Sequence, residues 1–451
     1  MNAKKISLCG IMMLSLFANT SCGVFTDDVL TVYNWEDYID VGIDENGYRL
    51  VDENGKEIKS VVEDFEDYYF NKIGRTIKVK YQSFSTVEIM YNQIKIGRIK
   101  ADLICPSDYM IQKMAKENLL EKFEYDASNN EYSSLPNYNE FASPYIKELF
   151  KQNNFTDYAI PYMWGTMGFT YNPSYVEEDV INTWEAQWDS ALKGKITIKD
   201  SVRDSYFTAV MHVYKDELDK YADKFSKGEI TSEYYNEVLN EIFNRCDNET
   251  LTKCQNALNS LKNNIYGLEV DDGKNDIVTG KIYANLAWSG DSVYSMNQAE
   301  EAKTYLNYSI PKEGSNIWFD GWCMPKGAQV DIASMFVDYL SRPSVAARNM
   351  DYTGYTSAIA GQDIWDLVNE WYAADENSED YSSFDTVDLS YFFASTLDEG
   401  VEPLITVEER GRQFDAQYPD ANTIARCAIM RDFGTQTDAV YQMWTNFKAS
   451  L

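Results

Sequence analysis

Three tryptophans in this chain each stand within three residues of an acid: Trp35-Glu36-Asp37-Tyr38, Trp288-Ser289-Gly290-Asp291 and Trp318-Phe319-Asp320. An indole face attracts an ammonium and the methylenes beside it, worth about 0.5–2 kcal/mol per contact. A carboxylate adds the charge-assisted hydrogen bond that fixes where the ammonium stops. Taken singly, each tryptophan reads as core and each aspartate as solvated surface. Repetition of the pair in distant segments points instead to a slender cationic ligand. Enzyme chemistry has less to stand on. Paired carboxylates among aromatics also describe glycosidase clefts, yet no acid/base pair, nucleophile or metal motif is specified. With His212 the sole histidine, a histidine metal site or a Ser-His-Asp relay has no basis.

The chain begins with Lys4 and Lys5, an apolar run from Ile6 to Ala18, and then Asn19-Thr20-Ser21-Cys22. A basic start, a short apolar stretch and small residues describe an export signal. The cysteine after the small residues resembles the lipobox of bacterial lipoproteins, implying cleavage before Cys22 and a lipid anchor there. Asn19 departs from the usual apolar residue of that box, and ordinary secretory cleavage nearby is the alternative. No later apolar stretch is long enough to cross a bilayer.

Of the other cysteines, Cys105, Cys246, Cys254, Cys323 and Cys427 form an odd set with no CxxC. That is no disulfide framework; Cys246 and Cys254 either bridge locally or are free thiols. The chain carries 40 basic and 72 acidic residues, a net charge of −32. Nucleic acid and anionic lipid are poor partners for such a surface, whereas cations are drawn in. At 44% hydrophobic and 14% aromatic it can bury large cores, and a mature length of about 430 residues suits two or three domains.

Strand signals at Leu30 to Tyr33, Thr76 to Tyr81 and Ala101 to Ile104 alternate with helical patterns at Val61 to Phe70 and Val87 to Ile96. Such alternation implies βαβ units and parallel pairing, hence an α/β class. Further strands are expected at Tyr158 to Pro161, Gly168 to Tyr171, Lys195 to Ile198, Ile282 to Trp288 and Leu306 to Ile310. Between Asp204 and about Asn263 the pattern is almost wholly helical. Helices are also expected at Ile332 to Leu340 and at the C-terminal end. Asp44-Glu45-Asn46-Gly47 and Asp52-Glu53-Asn54-Gly55 bracket Tyr48 to Val51 and read as a small hairpin. The ligand spacing of a calcium loop is missing there.

The segments VYNWEDYI (32–39), ADLICPSDYM (101–110), DYAIPYMWGTMGFTYN (157–172), the pair Trp184 and Trp188, AWSGD (287–291), SIPKEGSNIWFDGWCMPKGA (309–328), GYTSA (354–358) and YPDANTI (418–424) then follow in a telling order. Together they resemble the periplasmic polyamine-binding proteins, the spermidine/putrescine receptors of ABC importers, over nearly the whole mature chain. The resemblance implies a two-lobed type II periplasmic-binding-protein fold. Each lobe would hold a mixed, mainly parallel sheet flanked by helices, with the ligand cleft between lobes. It implies a signal at 1–21, lobe 1 at 22–158, lobe 2 at 159–319, a return to lobe 1 at 320–365, and C-terminal helices at 366–451. Insertions relative to the family fall at 40–59, within 210–265 and around 366–415.

Carried over by resemblance, Trp35, Asp37 and Tyr38 form the first ligand loop, and Ser107 and Tyr109 the second. Asp204 stands where the family has a glutamate for one ammonium. Trp288 and Trp318 are the indoles that sandwich the methylenes, Asp320 a carboxylate for another amine, and Tyr355 the far wall. Asp291 is similar to the putrescine type and Trp318 to the spermidine type. Ser201 and Met430 replace an aspartate and a glutamine of the spermidine receptors, leaving the number of amines open. Both ligands are expected, with a slight lean to spermidine. Asp37, Asp204, Asp291 and Asp320 would converge only when both lobes contribute, and the cleft tryptophans would be partly exposed in the open form. Partners implied are the permease subunits of an ABC importer, with the protein a monomer and without cofactor, metal or nucleic acid. The same fold with a sugar, an amino acid or a metal is the alternative. An amino-acid receptor would need an arginine, and no matched cleft position is basic. If Cys22 carries lipid, the chain will partition into detergent and incorporate labelled palmitate, and Cys22→Ala will abolish both. A soluble product with its N-terminus elsewhere excludes the anchor.

Overall fold

The structure is a computed structural model that describes residues 28–43, 47–52 and 54–450. Cys22 and the export segment before it lie outside the described residues, as do Asp44, Glu45, Asn46 and Glu53 of the 40–59 insertion.

The first sheet is built as the alternation implies. Asp28–Trp35 pairs in parallel with Ile77–Phe84 on one side and with Leu103–Ile104 on the other. The crossover helix Val61–Ile73 is set by its own sequence. Ser60 and Glu63 form a reciprocal capping box, and Gly74 ends the helix at φ +77°. Buried Val61, Phe65 and Tyr69 face the sheet side at helical spacing. The next helix, Val87–Lys95, is capped by Thr86, whose side chain accepts from the Ile89 N–H.

The second sheet departs from the parallel expectation. Its spine is the strand Ile160–Tyr171, in which every residue is buried. The strands Ala284–Trp288, Asn307–Ser309, Ser315–Trp322 and Thr356–Ser357 all run antiparallel to it. Only Cys427–Ala428 lies parallel, against Ser315–Trp322. The expected strands at Tyr158 to Pro161 and Gly168 to Tyr171 are thus the two ends of one strand. A run buried on both faces shows no alternation, so its continuity is invisible to periodicity.

That spine joins two cores. Ile160, Met163 and Trp164 pack in the first core with Tyr38, Phe319 and Trp322. Met167, Phe169 and Tyr171 pack in the second with Trp184, Phe207 and Leu286. The second core is filled by helices Val202–Val213, Lys215–Ser226, Ser232–Phe243 and Asn248–Leu261, the stretch expected to be helical. Phe392, Phe393, Ile405 and Val407 from the late insertion join the first core. Val440, Trp444 and Phe447 of the final helix Thr437–Lys448 join the second. The chain therefore passes between the cores in several strands rather than one linker.

Cys105, Cys254, Cys323 and Cys427 are buried free thiols and Cys246 is a half-buried one, so Cys246 and Cys254 do not bridge. In the 40–59 insertion, Ile43 bridges Arg49 and Val51 bridges Glu57. The central run pairs on both sides, closing two successive turns instead of one hairpin.

Gly165 pairs with Trp318 across the strands where the first core gives way to the second. A Cβ there would lie 2.3 Å from Ser289 Oγ and 2.7 Å from Trp318 Cζ2. Gly165→Ala is therefore expected to destabilise by about 1–3 kcal/mol through overpacking and to shift tryptophan fluorescence. Gly267→Ala, whose Cβ meets nothing within 4 Å, is the control. Equal melting temperatures for the two variants would remove the close-packing reading.

Candidate functional site

Asp320 lies on Ser315–Trp322 just before a register shift, where the strand leaves its regular pairing with Ile160–Tyr171. The Ser107 loop is laid against it: Ser107 bridges Asp320, and the Gly321 N–H donates to the Pro106 carbonyl at 3.1 Å. Ser107 is the N-cap residue of helix Asp108–Lys116, yet its hydroxyl caps nothing. It donates to Asp320 Oδ1 at 2.6 Å. An N-cap side-chain bond is worth about 1 kcal/mol, so this hydroxyl is diverted from its usual local use. The Tyr38 hydroxyl donates to Asp320 Oδ2 at 2.8 Å. Trp35 Nε1 is buried beside them without an aligned acceptor, and its proximity still helps hold the Asp320 charge. Burial outweighs these three donors and pushes the Asp320 pKa up to about 6. Among the described residues no lysine or arginine pairs with it.

Tyr355 connects this carboxylate to a second one. Its ring meets Tyr38 edge-on at 5.4 Å and Trp318 at 5.5 Å. Its hydroxyl donates to Asp291 Oδ1 at 2.8 Å. Gly290 lets the backbone lie on that ring, since a Cβ there would come within 2.4 Å of it. Trp318 is buried at 8% exposure, its Nε1 donating to the Thr166 carbonyl at 3.2 Å. The expectation of a partly exposed Trp318 is corrected: the Tyr355 ring and the Gly165–Thr166 backbone of the neighbouring strand cover it. Trp288 is half-buried.

Trp288 does stack on a cation, but one the protein supplies. Lys199 Nζ lies 4.3 Å from the centre of the Trp288 ring. Asp291 has Lys199 Nζ at 3.7 Å and Lys274 Nζ at 3.5 Å.

Asp204 sits in the first turn of helix Val202–Val213, capped by Ser201, whose Oγ accepts the Asp204 N–H at 3.3 Å. Burial raises its pKa, against the opposing pull of Ser201, Lys199, Arg203 and Trp288. The Tyr109 hydroxyl donates to Glu88 Oε1 at 3.2 Å, and the Tyr441 hydroxyl reaches the same oxygen at 3.2 Å. The Arg203 guanidinium lies 5.8 Å from the Tyr109 ring. Asp291, Asp320 and Asp204 are thus neighbours: Tyr38 and Tyr355 link Asp320 to Asp291, and Asp291 and Asp204 both act on Lys199. Asp37 is not: it is exposed, at φ +50°, and pairs with nothing among the described residues.

Sequence reasoning missed Lys199, Glu269, Lys274, Arg203, Glu88 and Asp108. Burial pushes the Asp108 carboxyl well up, and its Oδ2 has no partner. The matched cleft positions carry no base, yet three bases stand directly behind them. The available signal was Lys199 itself, a charge closing the apolar run Ile196-Thr197-Ile198.

Residues 60–377 match the family of bacterial extracellular solute-binding proteins. This chain belongs to that family. Among curated proteins this solute-binding protein is similar to the spermidine/putrescine-binding periplasmic protein of Escherichia coli, 25% identical over 331 residues. That alignment covers 73% of this chain and 77% of the relative. The putrescine-binding periplasmic protein PotF of the same organism is 26% identical over 342 residues, with the same coverage. Solved structures share the two-lobed fold. A putative spermidine/putrescine ABC transporter from Listeria monocytogenes matches with TM-score 0.61 at 24% identity, covering 93% of this chain and 99% of its own. A lipoprotein of Treponema pallidum matches with TM-score 0.62 at 18% identity and the same coverage.

The raised Asp320 pKa makes a signed prediction. Folded, the carboxyl binds protons up to about pH 6; unfolded, it releases them near its ordinary 3.8. Between those values the folded state holds more protons, so stability falls as pH rises through about 6. The full cost in the empty protein is about 3 kcal/mol. Urea unfolding of the empty Asp320→Asn variant should show a gain over wild type of about 1–3 kcal/mol at pH 8, shrinking to little at pH 4. A pH-independent difference would contradict a dry, ionisable Asp320.

Proposed function

We propose that this protein captures spermidine and/or putrescine in its interlobe cleft and delivers the ligand to the permease subunits of an ABC importer. It works outside the cytoplasm and, in this reading, is held to the membrane by lipid on Cys22. The observation that carries the proposal is Asp320, a buried carboxylate with hydroxyl donors but no cation. A dry carboxylate is costly until an opposite charge joins it. An ammonium supplies that charge, while Trp35, Trp318, Tyr38 and Tyr355 offer ring faces and edges to the methylenes. The curated relatives named for spermidine and putrescine support the same ligand class. The role in this reading is binding rather than catalysis, in line with the curated relatives, which are named as binding proteins.

Closure would complete the site. Ser107, Tyr38 and Tyr355 belong to the first core's side of the molecule, and Asp204, Trp288 and Asp291 to the other. Contacts already join the sides at the rim, with Lys116 Nζ 3.4 Å from Asp432 Oδ2 and Gln112 Nε2 3.5 Å from the Met430 carbonyl. These polar rim contacts are weak and suit a reversible hinge.

Calorimetry with diamines, triamines, sugars and amino acids tests the ligand class. Wild type is expected to bind at least one linear polyamine and none of the others. Asp320→Asn should weaken that binding by about 2–5 kcal/mol, the range for a desolvated charge pair losing one partner. Failure of wild type to bind any polyamine would sink the assignment.

A further inference from the structure

The two ends of this cleft differ in charge. At the Asp320 end stands a carboxylate with no base beside it. At the Trp288 end, Glu269 and Asp291 meet Lys199, and Lys274 reaches Asp291 and Asp271. Lys199 has no solvent exposure. Its strand, Ile198–Lys199, runs parallel to Leu268–Glu269, with Lys199 directly opposite Glu269. The ammonium lies 2.9 Å from Glu269 Oε1, a close charge contact not aligned as a hydrogen bond, and donates to the Val270 carbonyl at 3.0 Å. Its remaining face covers the Trp288 indole. Burial works to discharge the amine, but Glu269 and Asp291 prevail and keep it protonated.

An ammonium over an indole, between two carboxylates, is the arrangement the ligand was expected to make. We propose that Lys199 is a resident cation filling one ammonium position of the cleft, so that the cleft selects diamines over triamines. The proposal rests on the polyamine reading above and specifies its ligand. A diamine places one ammonium at Asp320 and leaves the Lys199 end undisturbed. A triamine must bring its additional charge toward Lys199 and Lys274, where like charges repel and the Lys199 ammonium already lies over Trp288. The slight lean to spermidine drawn from Trp318 is thereby reversed.

The test compares the mature wild type with Lys199→Met by calorimetry, using putrescine and spermidine. Wild type should bind putrescine at least tenfold more tightly than spermidine, and Lys199→Met should shift that ratio at least tenfold toward spermidine. Because removing one partner of a buried pair is harsher than removing both, Lys199→Met/Glu269→Gln is measured alongside. An unmoved ratio in either folded variant overturns the proposal.

A second readout does not depend on polyamines. Lys199→Ala leaves a gap that n-propylammonium fits, so propylammonium chloride should raise the melting temperature of Lys199→Ala above the effect of equal sodium chloride, and not that of wild type. Equal shifts in both proteins overturn the resident-cation assignment. So does failure of every variant to fold with or without propylammonium, which would make Lys199 structural only. Should wild type bind neither polyamine, the polyamine reading and its diamine preference fail, and the resident cation stands or falls on the propylammonium result.

Discussion

An ionised carboxylate removed from water must find a positive charge or give up its own, and this constraint organises the centre of the molecule. Asp320 is held dry where the first core ends, with two hydroxyls and an indole beside it and, among the described residues, no base paired with it. Hydroxyl donors reduce the cost of the charge without cancelling it. Much of what surrounds the carboxylate follows, including a helix whose N-cap hydroxyl is given to Asp320 and a tyrosine pair set edge to face.

That carboxylate can be held only because the strands beneath it are rigid and shared. Ile160–Tyr171 is buried throughout and serves both cores. Such a spine fixes Trp318 and Asp320, two residues apart on one strand, on the same face. Glycine at 165 is required by the closeness of this packing rather than by backbone conformation. The Trp318 ring and Ser289 occupy the space a side chain would need.

The opposite end shows a different solution to the same constraint. Asp291 and Glu269 are as deeply buried as Asp320, at 4% and 7% exposure against 6%, but they are given lysines. A fold that lines one cleft with acids must decide which of them the ligand neutralises and which the chain does. Here the division is unequal: Asp291 and Glu269 have lysines beside them, and Asp320 has hydroxyls.

The sequence alone determined the local elements and singled out the residues from which a cleft is proposed. Ser60 and Glu63 wrote the first helix start, alternating patterns wrote the first parallel sheet, and the Trp–Asp pairs marked Trp288, Asp291, Trp318 and Asp320 before any contact was known. The wholly helical stretch between Val202 and Leu261 was equally legible, because amphipathic periodicity is a local property. Tertiary structure decided the rest. Tyr38 and Asp320 are 282 residues apart, and nothing local selects that partner. Asp37 carries the same side chain as Asp320 yet stays in solvent, at a backbone φ of +50°. Lys199 reads as an ordinary surface lysine until the register with Glu269 carries it under Trp288. Register and burial are set by long-range packing of both cores, so the charge that a residue meets cannot be read from its neighbours in the chain.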